Sequence, residues 1–146
     1  MQDSSTPRPL ILIADDTEDN RIVFSAVLKH AGFAVFTASN GAEALDQARM
    51  HLPTLIVLDL RMPDMNGDEV IRRLSAHPAT ADIPAIVATA DDGYTPARAR
   101  ADGFCAHLAK PVLPRQLRLA VEHCLSRWSP RERWVEMPVF SMTDDT

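Results

Sequence analysis

The sequence predicts an α/β fold built on an open parallel sheet. Short aliphatic runs alternate with amphipathic helical patterns, which is typical of βαβ units with right-handed crossovers. The run from Leu55 to Leu60 has no polar alternation, as expected for a central strand buried on both faces. Several runs end directly before polar residues, and ligand sites form at the carboxyl edge of such sheets. We therefore predict five parallel strands, helices on both faces and a polar site at one edge.

The composition limits the class of protein. A chain of 146 residues with 46% hydrophobic content is the usual size for one domain. We predict a folded domain over residues 9–128, with tails over 1–8 and 129–146. No apolar stretch approaches the roughly 20 residues of a membrane span, and the polar start lacks the apolar region of a signal peptide. We expect a cytoplasmic protein, and the net charge of -5 argues against direct nucleic-acid binding.

The first strand is predicted over Leu10 to Ala14. A polar helix start follows at Thr17, and Gly32 is a typical residue just beyond a helix end. The apolar positions of this helix recur at helical spacing and are predicted to face the core: Ile22, Val23, Ala26 and Val27.

The second strand is predicted over Phe33 to Ala38. Asn40 with Glu43 three residues later resembles a capping box, so we predict that a second helix begins there and runs to about Met50. The buried run 55–60 is the third strand.

The third helix follows the turn-rich loop 61–67 and carries Val70, Ile71 and Leu74. The fourth strand is predicted over Ala85 to Ala90. Thr95-Pro96 begins a fourth helix that Gly103 ends. Because alanine is its only apolar residue type, this helix should bury little surface and move easily.

The fifth strand is predicted over Phe104 to Ala109. The last helix, after Pro114, presents one apolar face: Leu117, Ala120, Val121, Cys124 and Trp128.

Cys105 and Cys124 are interpreted as small buried hydrophobic residues rather than a disulfide framework. Beyond Ser129-Pro130, the apolar residues of the tail could fold back, bind a partner or be disordered: Trp134, Val135, Met137, Val139 and Phe140.

Three carboxylates are predicted to meet at the carboxyl edge of the sheet: Asp15, Asp16 and Asp59. Because they repel one another, a cation is expected among them, and Mg²⁺ or Mn²⁺ suits a set of oxygen ligands. Asp59 would attack phosphorus as a nucleophile. Lys110 would add a second positive charge, and the Thr89 hydroxyl would donate a hydrogen bond to a phosphoryl oxygen.

Four segments resemble the response-regulator receiver domain of two-component signalling. They are Ile11 to Asp16, Leu58 to Gly67, Ala88-Thr89-Ala90 and Lys110-Pro111. The resemblance implies a flavodoxin-like, doubly wound sheet with strand order 2-1-3-4-5. It also implies that Asp59 accepts a phosphoryl group from a phosphohistidine of a histidine kinase or phosphotransfer protein. The output would be binding to a downstream protein, with a homodimer possible.

The same resemblance implies roles for the site residues. Asp16 and Asp59 would ligate the metal with the backbone carbonyl of Arg61, and Asp15 would act mostly through water. Lys110 would pair with the phosphoryl group.

Around that site, the resemblance makes Thr89 the switch hydroxyl and Lys110-Pro111 a cis peptide bond. Ala90 would leave the phosphodonor a way in. His107 occupies a position that is usually tyrosine or phenylalanine in this family. It is either a packed neutral histidine or a rotamer switch whose charge responds to pH.

Arg61 and Asp91 lie two residues after Asp59 and Thr89, at positions that flank the path of hydrolytic water in receiver domains. We hypothesise that a salt bridge between them covers the acyl phosphate and lengthens its life, although an exposed pair is often worth less than about 1 kcal/mol.

Three alternatives remain. The first is a receiver-like binding module that works without phosphorylation. The second is a haloacid-dehalogenase-like phosphatase, in which Arg61 would stand where a general-acid aspartate is needed. The third is a flavin-binding module, whose phosphate loop the acidic pair Asp15-Asp16 would repel. We expect a phosphoacceptor that catalyses at most its own phosphotransfer and dephosphorylation, not an enzyme.

Overall fold

A five-stranded parallel sheet with strand order β2-β1-β3-β4-β5 forms the centre of the molecule. The computed structural model describes residues 8–137. The strands are β1 (Leu10–Ala14), β2 (Ala34–Ala38), β3 (Leu55–Asp59), β4 (Ala85–Thr89) and β5 (Ala106–Ala109). The predicted fold class and strand order are confirmed.

Five helices connect the strands and cover both faces. They are α1 (Glu18–His30), α2 (Gly41–His51), α3 (Gly67–Ser75), α4 (Pro96–Asp102) and α5 (Pro114–Arg127). α1 and α5 pack together on one face, and α2, α3 and α4 lie on the other. Among the described residues, no helix is both long and apolar enough to cross a membrane.

The hydrophobic core lies on both sides of the central strands. Every residue of β3 and of β4 is buried, as the lack of polar alternation predicts. One cluster lies beneath α1 and α5, and the other beneath α2, α3 and α4. The buried sheet therefore holds the ends of its strands in fixed positions.

The fifth strand begins later than predicted, at Ala106 instead of Phe104. Gly103 ends α4 in the left-handed region at φ +103°, and the Phe104 backbone N–H donates to the Ala99 carbonyl. Phe104 therefore completes the helix end before the strand starts. As predicted, α4 buries little, with Ala99 its buried residue.

The predicted core face of α1 is right only for Val27, which packs against the core. Ile22 and Val23 are 58% and 50% exposed, whereas Phe24 and Leu28 are buried. The apolar residues of this helix spread around more than one face, and packing against α5 and the sheet selects the face with the largest side chain.

The chain after α5 folds back on the domain. We call residues 129–137 the C-terminal strap. Within it, Val135 is buried and its N–H donates to the Cys105 carbonyl at 2.8 Å, while Trp134 packs against the cluster on the opposite face. Val139, Phe140 and most of the predicted N-terminal tail lie outside the described residues.

Candidate functional site

The carboxyl ends of four strands bring the predicted site residues to one edge of the sheet. Ala14 pairs with Leu58 in the strand register, so Asp15 and Asp59 follow directly at neighbouring strand ends. Thr89 ends β4 and pairs with Ala109, the residue before Lys110. Parallel pairing therefore places residues up to 95 positions apart within contact distance.

Lys110 lies between two carboxylates. Its Nζ is 2.9 Å from Asp15 Oδ2 and 3.4 Å from Asp59 Oδ1. All three side chains are largely withdrawn from solvent, which strengthens their electrostatic interactions. The lysine is thus held beside the predicted nucleophile.

The carboxyl group of Asp59 has a strongly altered proton affinity. Burial, and then the nearby Asp15 carboxylate, raise the pKa of Asp59 from 3.8 to about 6. The Lys110 ammonium and the backbone N–H of Arg61, which donates to Asp59 Oδ1 at 3.4 Å, act in the opposite direction. The charged form of Asp59 is therefore costly without a further cation.

The cluster of Asp15, Asp16 and Asp59 fits a hard cation. One carboxylate oxygen from each lies within 4.8 Å of the others. Oxygen donors at this separation suit Mg²⁺ or Mn²⁺, and a cation would offset the repulsion between Asp59 and Asp15 that contributes to the raised pKa of Asp59. The predicted ligand role of the Arg61 carbonyl stays a prediction.

Asp15 is oriented by the first turn of α1. Its Oδ1 accepts from the Thr17 backbone N–H at 2.9 Å, and the Asn20 side-chain amide donates to Oδ2 at 3.3 Å. The Arg21 guanidinium donates to the Asp15 carbonyl at 2.8 Å. Asn20 and Arg21 were not predicted as site residues, although their helical spacing from the acidic pair would have placed them near it.

Thr89 is buried and bonded to the loop that follows β4. Its Oγ1 accepts from the Asp91 backbone N–H at 3.0 Å. Asp91 Oδ2 lies 2.6 Å from the Arg61 guanidinium, so the hypothesised pair is present as a salt bridge. This bond lowers the pKa of Asp91. Arg61 is 62% exposed, which places the bridge at the outer rim of the site.

Tyr94 links this loop to α4 and β5. Its hydroxyl donates to Asp102 Oδ2 at 2.7 Å, and its ring stacks on His107 with centroids 6.2 Å apart. His107 Nε2 is 2.8 Å from the Tyr94 carbonyl, so the ring N–H donates there. The histidine is packed against Tyr94, and both interpretations of its role stay predictions. Tyr94 itself was missed, because nothing local distinguishes a loop tyrosine.

Two residues after β3, Asp64 and Gly67, keep the site close to its neighbouring helices. Gly67 begins α3 against the backbone of the nucleophile, since a Cβ there would lie 2.7 Å from the Asp59 carbonyl oxygen. Asp64 accepts from the Gly41 and Ala42 backbone N–H groups, both at 2.8 Å, which lowers the pKa of Asp64. The turn-rich loop thus connects β3 to both α2 and α3.

The Lys110-Pro111 peptide bond is cis, as the resemblance implies.

Comparison with known proteins supports this picture. The chain is 34% identical over 107 residues to the polar-differentiation response regulator DivK of Brucella anthropi, covering 70% of this chain and 84% of DivK. A putative response regulator from Chloroflexus aurantiacus superposes with a TM-score of 0.77 at 30% identity, covering 82% of this chain and 99% of that one. The chemotaxis response regulator CheY4 of Vibrio cholerae superposes with a TM-score of 0.73 at 28% identity, covering 79% and 97%.

The family model described as the response regulator receiver domain matches residues 11–122, which include all the site residues discussed above. The chain therefore belongs to the response regulator receiver family.

Proposed function

We propose that this chain is a phosphorylation-activated signalling switch that accepts a phosphoryl group on Asp59. The donor would be a phosphohistidine of a histidine kinase or phosphotransfer protein, and the output would be altered binding to another protein. The observation that carries the proposal is the convergence of Asp59 with two further carboxylates and Lys110 at one sheet edge. In this proposal the chain assists its own phosphorylation but turns over no substrate.

The transfer is an in-line displacement at phosphorus. An Asp59 carboxylate oxygen forms a bond to phosphorus while the phosphorus–nitrogen bond of the donor breaks and the imidazole leaves. Lys110, 3.4 Å from Asp59, is placed to neutralise charge on the transferred group. A divalent cation held by Asp15, Asp16 and Asp59 would supply further charge neutralisation.

The switch would begin at Thr89. A phosphoryl group adds roughly -1.5 to -2 charge and strong acceptor oxygens, so the Thr89 hydroxyl gains a partner on that side. In the unphosphorylated structure, the Asp91 N–H donates to Thr89 Oγ1. The Asp91 carbonyl in turn accepts from the Tyr94 N–H at 3.1 Å. Tyr94 in turn bonds to Asp102 in α4. A shift of Thr89 would therefore reach the weakly anchored α4 through this loop.

The phosphodonor protein would dock beside α1. A groove next to the site is lined on one side by Asn20 and Val23 and on the other by Lys110 and Pro111. Val23, which is 50% exposed, presents apolar surface in this groove. Exposed apolar surface beside a charged site is typical of a protein-binding surface. The exposed apolar side chain of α1 would therefore contact the donor protein.

Replacing Arg61 with Ala is expected to shorten the half-life of the phosphorylated protein about two- to five-fold, because an exposed ion pair is worth about 1 kcal/mol or less. Loss of the bridge to Asp91 would admit water to the acyl phosphate. Half-lives would be measured by intact-mass spectrometry after removal of the donor. Arg73→Ala is the matched control, since that exposed arginine pairs with Glu69 on α3. An unchanged half-life in the Arg61 variant would contradict the gate.

The proposed function is tested by incubating the protein with acetyl phosphate and Mg²⁺ and measuring its intact mass. We expect the wild type to gain one phosphoryl group, and Asp59→Asn to gain none. Chelation of the metal should prevent the reaction in the wild type. If a control receiver domain is modified and this chain is not, a phosphorylation-independent binding module becomes the better explanation.

A further inference from the structure

Two buried cysteines face each other on the side of the sheet covered by α1 and α5. Cys105 directly precedes β5 and Cys124 lies in α5, and their side chains are 0% and 1% exposed. Their Sγ atoms are 3.1 Å apart. Non-bonded carbon atoms pack at about 3.5–4.0 Å, and sulfur is larger than carbon. The two sulfurs are therefore closer than ordinary packing brings them, and about 1 Å from the length of a disulfide bond.

The C-terminal strap is attached beside this pair. Val135 of the strap packs in the same cluster as both cysteines, and its N–H donates to the Cys105 carbonyl at 2.8 Å. The strap lies outside the residues that the family model matches.

The outer attachments of the strap are weak. Arg133 bonds to Asp82 at 2.7 Å, but their side chains are 46% and 62% exposed, and such pairs contribute little. The Ser129 hydroxyl accepts from Glu132 N–H in an exposed turn. Besides the buried Val135, the strap has only the partly buried Trp134 and Met137 packed on the two core clusters. Such a segment can open at a lower free energy than the sheet needs to unfold.

We propose that Cys105 and Cys124 form a redox modification site, a dithiol that a hydroperoxide oxidises to an intramolecular disulfide when the strap opens. One thiolate attacks the peroxide oxygen, giving a sulfenic acid and releasing water or an alcohol. The other sulfur attacks the sulfenic sulfur, forming the S–S bond and releasing water. Two electrons pass to the peroxide, and an external dithiol reverses the reaction.

The closed strap protects the pair. Burial raises the pKa of the Cys105 thiol well above its usual value, which suppresses the reactive thiolate. Opening the strap would admit both water and the oxidant. The resulting bridge joins residues 19 positions apart and closes a covalent loop that contains β5 and Lys110. Oxidation would thus tie together the two ends of the segment that supplies the lysine of the site.

The test uses the full chain treated with hydrogen peroxide, then denatured and labelled with a maleimide. Intact mass distinguishes the two states. The dithiol carries two labels, whereas the disulfide carries none and has lost two hydrogens. We expect wild type to lose both labels together and to regain them with dithiothreitol. Cys124→Ala should form no intramolecular bridge. The idea is overturned if wild type and Val135→Gly keep both labels under conditions that oxidise a small-molecule thiol, or if the sulfurs are oxidised without bridging.

The strap is tested separately by comparing Val135→Gly with Glu136→Gly. Both changes loosen the same backbone, but Glu136 is exposed and Val135 is buried. We expect Val135→Gly to form the disulfide roughly ten-fold faster than wild type, because it removes the buried contact that closes the strap. Glu136→Gly should react at nearly the wild-type rate. Circular dichroism of each variant would verify that the fold is retained, and equal rates in the two variants would overturn the gating role.

Discussion

Replacing Asp59 with Asn is expected to raise the free energy of unfolding of the metal-free protein by up to about 3 kcal/mol near pH 7.5. The pKa of Asp59 is raised from 3.8 to about 6 in the folded protein, so folding favours the protonated carboxyl. The stability that this group contributes is present at low pH and is lost as the pH rises through about 6. An amide has no charge to bury, and Lys110 keeps Asp15 as its partner.

Urea unfolding with a chelator present, at about pH 4 and again near pH 7.5, measures this effect through the linkage of protonation to folding. The two proteins should have similar stability at the lower pH and differ at the higher pH. Added Mg²⁺ should reduce the difference, since a cation offsets the charge of the wild-type site. Asp46→Asn, at an exposed position of α2, is the control. A difference that does not depend on pH would show that Asp59 acts through packing rather than charge.

The cost of the charged Asp59 carboxylate in the metal-free protein is related to the proposed function. Three carboxylates and one lysine at a single edge leave a net negative charge that a bound cation would offset. A core built for stability alone would not bury Asp15 and Asp59 side by side. The protein thus keeps a costly arrangement where the proposed chemistry needs it.

Gly67→Ala is expected to destabilise the protein by about 2 kcal/mol, because its methyl group would overpack the site backbone. It should also slow phosphorylation of Asp59 by about ten-fold or more, since small displacements of a reacting group are costly. The new Cβ would lie 2.7 Å from the Asp59 carbonyl oxygen and 3.2 Å from Leu60 Cα. These are backbone atoms, so β3 or the start of α3 must move.

Helix propensity alone predicts the opposite sign for this change, since alanine favours a helix more than glycine does. Gly93→Ala is the matched control because its Cβ would approach only the movable Asp91 side chain, at 3.2 Å. The measurements are urea unfolding and the rate of mass gain with acetyl phosphate. If Gly67→Ala is as stable and as fast as the control, the close contact with Asp59 does not position the nucleophile.

Much of the site could be predicted from the sequence because of the way parallel sheets are built. The strand ends at Asp15, Asp59 and Thr89 must lie on one edge once the strands are parallel, and Lys110 follows the next strand. The segment from Leu58 to Gly67 strengthened this prediction. The positions of these residues at the ends of parallel strands were therefore enough to predict that four parts of the site lie together.

Other features could not be predicted in this way. Helical periodicity indicates that α1 is amphipathic, but Ile22 and Val23 proved exposed, and packing against the sheet decided which face is buried. Tyr94 reaches both Asp102 and His107 only because the loop after β4 folds over the start of α4.

By itself, the sequence determined the order and type of the elements and the edge at which the acidic residues meet, since both follow from local patterns and the geometry of parallel strands. Tertiary structure alone decided two contacts between distant residues: Cys105 with Cys124, and the strap residue Val135 with Cys105. Such contacts depend on how exposed or non-repeating segments pack after the core has formed, and no local pattern encodes that packing.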